Sequence, residues 1–86
     1  MYELSFSSSF QKQLNKLIKK NPKLKTKIKK IIKIIKKDIT QPSLKLHKLS
    51  GKNNWSISIT HSIRMIVHLE DNKIYCLKIG NHDEVY

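Results

Sequence analysis

The feature that most constrains this chain is a change of hydrophobic period near its middle. From Phe10 to Ile35 apolar residues recur every three or four positions, as one face of a helix requires. From Trp55 to Ile79 they recur every second position, the period of a strand with one buried face. With 86 residues there is room for one small core, so the helical stripe and the sheet face must cover each other. The expectation is a single domain over residues 1–86.

The stretch from Tyr2 to Phe6 alternates and reads as a short strand. Ser7, Ser8 and Ser9 then offer hydroxyls to cap a helix that carries Phe10, Leu14, Leu17 and Ile18 on one side. Asn21-Pro22 ends this helix and opens the next, with Asn as cap and Pro in the first turn. The second helix buries Leu24, Ile28, Ile31, Ile32 and Ile35 and stops before Gln41-Pro42. The fold class is α+β: an N-terminal strand, an antiparallel two-helix hairpin, then antiparallel strands forming a twisted sheet with both helices on one face. Alternation sends Trp55, Ile57, Ile59, Met65, Val67, Tyr75, Leu77 and Ile79 towards the helices. It sends Ser56, Ser58, Arg64 and Lys78 away from them, which predicts a polar, basic outer face shaped as a shallow groove.

Lysine and arginine outnumber acidic residues by 18 to 6, a formal net charge of +12. Such an excess favours phosphate backbones, anionic lipid or an acidic protein as partners, with nucleic acid the leading class. Arg64 is the single arginine and so the one planar fork able to grip a phosphate at two points. Cys76 is the single cysteine, which excludes an internal disulfide and reads as a buried small apolar residue. Together with the lack of a leading apolar signal segment, it points to a reducing cytoplasm. Lysines interrupt every apolar cluster, so no membrane span is expected.

The titratable groups that end the chain invite a chemical reading. Ile79 runs through an expected glycine turn at Gly80 into Asn81, His82, Asp83, Glu84, Val85 and Tyr86. Cleaving RNA with its own 2′-hydroxyl takes a base at that hydroxyl, cationic donors on the phosphate and an acid at the 5′-oxygen. His47, His61 or His82 can move the protons, Arg64 with lysines can hold the phosphate, and Tyr86 can orient or stack on a base. The four histidines lack the spacing and cysteine company of a zinc site, so neither a metal nor a cofactor is expected. Ordinary roles compete for several of these residues: a turn histidine for His61, a strand histidine for His68, a core anchor for Trp55. Arg64 in turn has Glu70 or Glu84 as possible surface partners.

Three segments carry a resemblance to a known family: Leu46-His47-Lys48-Leu49-Ser50-Gly51 with Trp55 after it, Ile63-Arg64-Met65-Ile66-Val67, and Ile79 to Tyr86. In these the whole chain resembles the RelE/ParE toxin superfamily and, within it, the RelE and YafQ-like mRNA interferases of type II toxin–antitoxin systems. The resemblance implies a microbial-RNase-like sheet, cleavage of mRNA in the ribosomal A site, and a cognate antitoxin that binds in a hetero-oligomer. By position it implies that His82 is the C-terminal acid or base, Tyr86 the terminal aromatic, Arg64 the phosphate-holding arginine and His47 the histidine of the His-x-Leu-x-Gly segment. His61 falls near a further histidine of the YafQ-like branch. The chain departs from the arginine-rich members, and Lys48, Lys52 and Lys78 are the candidates to replace the missing arginines on substrate. On the same fold a ParE-like inhibitor of DNA gyrase is the alternative, and a basic nucleic-acid-binding module without turnover is a third reading.

Overall fold

The two hydrophobic periods resolve into two layers in the computed structural model, which describes residues 2–85 apart from the side chains of His82 and Glu84. In chain order they form β1 (Glu3–Phe6), α1 (Ser8–Lys20), α2 (Leu24–Lys37), a 3-10 turn (Pro42–Leu44), β2 (His47–Lys48), β3 (Asn54–Ser58), β4 (Ile63–Glu70), β5 (Lys73–Asn81) and α3 (His82–Val85). The sheet order is β1-β5-β4-β3-β2. The helical hairpin carries the chain to the far edge, and the antiparallel meander from β2 to β5 walks back until β5 lies beside β1. That return makes β1–β5 the one parallel pair. No helix among the described residues is long and apolar enough to cross a membrane.

The core forms where the helical stripe meets the inner sheet face. Phe10 from α1 and Leu24, Ile28, Ile31 and Ile35 from α2 are buried with Ile57, Met65, Val67, Ile74, Cys76 and Ile79. At roughly 1.5–3 kcal/mol for each large apolar side chain, this contact is what holds two lysine-rich helices in place. Asn21 does not cap α2 as its sequence position predicts. It ends α1, its backbone N–H bonding to the Leu17 carbonyl, and α2 opens at Leu24, whose N–H donates to the Asn21 carbonyl. A main-chain acceptor thereby does the work expected of the side chain.

Strand β5 departs from simple alternation. Ile66 is paired with Lys78 but Val67 with Cys76, so Leu77 is the extra residue of a bulge. The phase therefore reverses there: Ile74 and Cys76 are buried, while Tyr75 turns outward beside His68, ring centroids 6.0 Å apart. Tyr75 and Leu77 are thus not core residues, contrary to the expectation from unbroken alternation. The bulge lies just where β1 ends, and α1 supplies the missing partners. The Ser7 hydroxyl donates to the Leu77 carbonyl at 2.8 Å while accepting from the Phe10 N–H at 3.0 Å, and Gln13 Oε1 accepts from the Ile79 N–H at 2.9 Å.

The charge is distributed unevenly between the layers. Twelve of the seventeen lysines lie from Lys12 to Lys37, a stretch with no Asp or Glu, and the remaining chain balances six cations against six anions. The whole formal excess therefore sits on the helical hairpin. Within the helices the pairs Lys12/Lys16, Lys16/Lys20, Lys25/Lys29, Lys29/Lys33 and Lys33/Lys37 repel at one-turn spacing, each costing about 0.2–0.5 kcal/mol at low salt. Lys19, Lys20, Lys36 and Lys37 offset part of this by lying in last turns, where the helix dipole favours cations.

Candidate active site on the outer sheet face

Cross-strand register arranges the outer face in rows. One row runs His47, Ser56, Ile66, Lys78 from β2 to β5; the next runs Ser58, Arg64, Gly80 from β3 to β5. Directly opposed residues share a face, so these side chains all leave the sheet on the side away from the helices. Four strands at about 4.8 Å spacing place His47 and Lys78 at the ends of a row about 14 Å wide.

Arg64 is the organising residue. Its Nε donates to Ser56 Oγ in a short hydrogen bond, and an Nη2 hydrogen goes to the Lys45 carbonyl at 3.1 Å. Ser56 is fully buried, and Lys45 sits in the left-handed region at φ 47° as it closes the 3-10 turn. Both acceptors are neutral, so among the described residues the guanidinium is aimed without being neutralised. A guanidinium carries five N–H donors, and the described residues use two of them in this way. Glu70, one of the possible partners from sequence, makes no ion pair with it; Glu84 lies outside the described side chains.

Opposite Arg64, β5 runs straight through Gly80. The glycine is therefore not a turn, as its sequence context predicts, but a strand position with no side chain to crowd the guanidinium. Asn81 pairs with Ile63, and α3 begins at the next residue, His82. This short helix lies against β4 and β5, with Val85 buried, and Ile66 on the outer face of β4 is buried as well. The backbone of His82 thus follows two residues beyond Gly80, the β5 member of the Arg64 row. Its side chain, and Tyr86 altogether, lie outside the described residues.

The remaining sequence candidates separate. His47 is exposed on β2, and Lys78 is exposed on β5. Lys48, one residue after His47, points to the other face, its Nζ 5.0 Å from the Trp55 ring centroid. It stacks there as a cation over the indole. Lys52 is exposed in the loop between β2 and β3. His61 is exposed at the β3–β4 turn, on the rim of a cleft rather than in either row. His68 bonds through Nδ1 to Asn54 Oδ1 at 2.9 Å, a structural strand histidine. Burial pushes the Cys76 thiol up to about 12, so it is no nucleophile near neutral pH. Ser56, Ser58, Arg64 and Lys78 share the outer face as alternation predicts, while most of the lysines belong to the helices.

Sequence reading missed Ser56 and the Lys45 carbonyl, the two groups that aim Arg64. A small hydroxyl one register step from the only arginine was the available signal for Ser56. Nothing in the sequence marks a carbonyl.

No family model matches the chain, and no curated protein sequence does. Solved structures are similar over its whole length. The metal-bound toxin from Helicobacter pylori is 21% identical with a TM-score of 0.85, covering 100% of both chains. YafQ in the DinJ-YafQ complex of E. coli is 21% identical with a TM-score of 0.83, over 100% of this chain and 99% of that one. The chain has the YafQ fold. The YoeB/ParE toxin from Agrobacterium tumefaciens, 19% identical with a TM-score of 0.80 over 95% of this chain, has it as well. In this chain the YafQ fold sets a lone, pre-aimed arginine opposite a glycine, beside the start of a terminal helix that opens on histidine.

Proposed function

We propose that this protein is the toxin of a type II toxin–antitoxin system, an endoribonuclease that cuts mRNA on the ribosome and so inhibits translation. The observation that carries the reading is the Arg64 guanidinium, oriented by Ser56 and Lys45, on a sheet of the YafQ fold. Its plane suits two non-bridging oxygens of a phosphodiester, whose charge grows as the 2′-oxygen attacks phosphorus. His47, at the far end of the adjoining row, is the base that takes the 2′-hydroxyl proton. His82 is the acid that protonates the departing 5′-oxygen, and Tyr86 positions the nucleotide. The P–O5′ bond breaks, and a 2′,3′-cyclic phosphate and a 5′-hydroxyl remain. Lys78 and Lys52 support the substrate backbone, whereas Lys48, on the other face, drops out of this set.

An acidic antitoxin is the protein partner of this reading. The solved E. coli complex pairs YafQ with DinJ, and the lysine-covered hairpin here is complementary to an acidic chain. The test is cleavage of programmed ribosomes by wild-type protein, His82→Ala and Arg64→Ala, with the product termini analysed. Cyclic phosphate from the wild type and losses of about 10²–10³ in rate in each variant are expected. Equal cleavage by all three removes the residue roles. Intact mRNA together with inhibited DNA gyrase moves the protein to the ParE-like alternative.

A further inference from the structure

Beside the Arg64 row a cleft of about 440 Å³ opens between α2, the 3-10 turn and the β3–β4 turn. Lys27 and Lys30 reach it from α2, Ser43 and Lys45 from the 3-10 turn, and Thr60 and His61 from the β3–β4 turn. Ile31, Ile34, Leu44 and Ile59 supply apolar walls, and no acidic residue lines it among the described residues. Three lysines and hydroxyl groups around an aliphatic wall are matched to a ligand with an anionic part and a flat, weakly polar body. The volume is far larger than a lone phosphate needs and falls in the range of small-molecule sites.

The cleft adjoins the arginine through two of that residue's partners. Ser58 lines it and is the β3 partner of Arg64, and Lys45, also on its wall, accepts a hydrogen bond from the Arg64 guanidinium at 3.1 Å. A polymer whose phosphate lies on Arg64 therefore meets this cleft as its next neighbour. Beyond Lys27 and Lys30 ten further lysines, with no acidic residue among them, spread over the helical hairpin.

We propose that this cleft is a second RNA subsite, which takes the nucleotide flanking the one held at Arg64 and leads the strand towards the lysine-covered helices. The inference rests on the RNA-cleaving reading above and adds a path for the substrate. Adjacency to Arg64 through Ser58 and Lys45 favours RNA over an acidic peptide, which has no need of the arginine's neighbour.

The test uses fluorescently labelled 2′-O-methyl oligonucleotides, which lack the 2′-hydroxyl nucleophile and so report binding alone. The wild type should bind a tetranucleotide roughly tenfold more tightly than a dinucleotide, through the added phosphate and base contacts. The Lys27→Gln/Lys30→Gln variant should lose that gain, keep its dinucleotide affinity, and show a salt slope lower by about 1.4 for the tetranucleotide. The Lys19→Gln/Lys20→Gln variant removes the same charge from α1, whose residues do not line the cleft, and should keep the tetranucleotide's advantage over the dinucleotide. Equal loss for both lengths in the cleft variant would mean diffuse attraction and overturn the subsite. A tetraglutamate peptide that binds as tightly as the tetranucleotide and is lost in the same variant would reassign the cleft to an acidic partner. Failure of the wild type to cut ribosomal mRNA would instead overturn the nuclease reading, a result these uncleavable probes do not depend on.

Discussion

Removing the Ser56 hydroxyl should weaken catalysis only through Arg64. The Nε–H to Oγ contact is charge-assisted, and such bonds are worth about 1.5–3 kcal/mol when formed. Ser56→Ala leaves the Lys45 carbonyl as the second anchor, so the guanidinium loses aim rather than place. If about 1 kcal/mol of the lost bond appears as misorientation at the transition state, cleavage slows roughly fivefold. Arg64→Ala removes the phosphate contact itself and should cost about 10²–10³. The double variant should then match Arg64→Ala within about twofold, because the serine has nothing left to aim. Arg64→Lys should stay well below wild type, since the donors of an ammonium radiate from one atom and lack the planar fork that meets Ser56, Lys45 and a phosphate from separate nitrogens. Single-turnover cleavage of programmed ribosomes measures all four. A fivefold loss from Ser56→Ala that persists in the Arg64→Ala background would show that the serine acts elsewhere and refute the reasoning.

The Ser7 hydroxyl caps α1 and ties down the bulge carbonyl at once, so Ser7→Ala should destabilise the fold by about 1–2 kcal/mol in urea titration, with Ser8→Ala close to wild type; equal midpoints for the two variants would sink this account. Cys76 should resist alkylation at pH 8 until denaturant is added. Its folded pKa, about 12, lies above the unfolded value, so the stability it adds is complete below about pH 9 and lost as pH rises towards 12. The wild-type advantage over Cys76→Ala should therefore shrink across that window, and a constant gap would contradict the assignment. His68→Ala should cost about 1 kcal/mol of stability through its lost bond to Asn54 and leave the cleavage rate within about twofold, so a large rate loss with unchanged stability would return His68 to the catalytic candidates.

The helices and the two longest strands were legible because each carries enough residues for its period to register. Leu24, Ile28, Ile31 and Ile35 fill the core as their spacing predicts. Strand β2 was not legible, since two residues carry no alternation. The Leu77 bulge defeated the parity argument for Tyr75, because an extra residue reverses every assignment on its far side. Gly80 was misread because glycine marks turns and crowded strand positions alike, and the choice depends on Arg64 across the ladder. The site was legible as a set of residue types and not as an arrangement. Arg64 stands out by being alone, but its aim comes from a serine eight positions back and a main-chain oxygen. Lys48 and His47 are neighbours in sequence and occupy opposite faces, a separation that follows only once β2 is recognised as a strand.

The split of charge between the layers bears on how such a site would work. Lysines spread over the hairpin attract an RNA phosphate chain equally before and during reaction, and uniform binding of that kind promotes encounter without lowering the chemical barrier. The sheet half, formally neutral, would in the proposed reaction concentrate its action in one guanidinium, held by Ser56 and the Lys45 carbonyl, at the phosphate where charge develops. A strongly cationic active face would hold substrate and product phosphates alike and slow release. Keeping the attraction on the helices and the oriented donors on the sheet separates these two demands. The repulsion among the helix lysines, about 1–2.5 kcal/mol over five pairs at low salt, is the stability given up for it. That cost is relieved whenever a polyanion, either RNA or an acidic antitoxin, lies along the hairpin, so binding and fold stability are linked through the same residues.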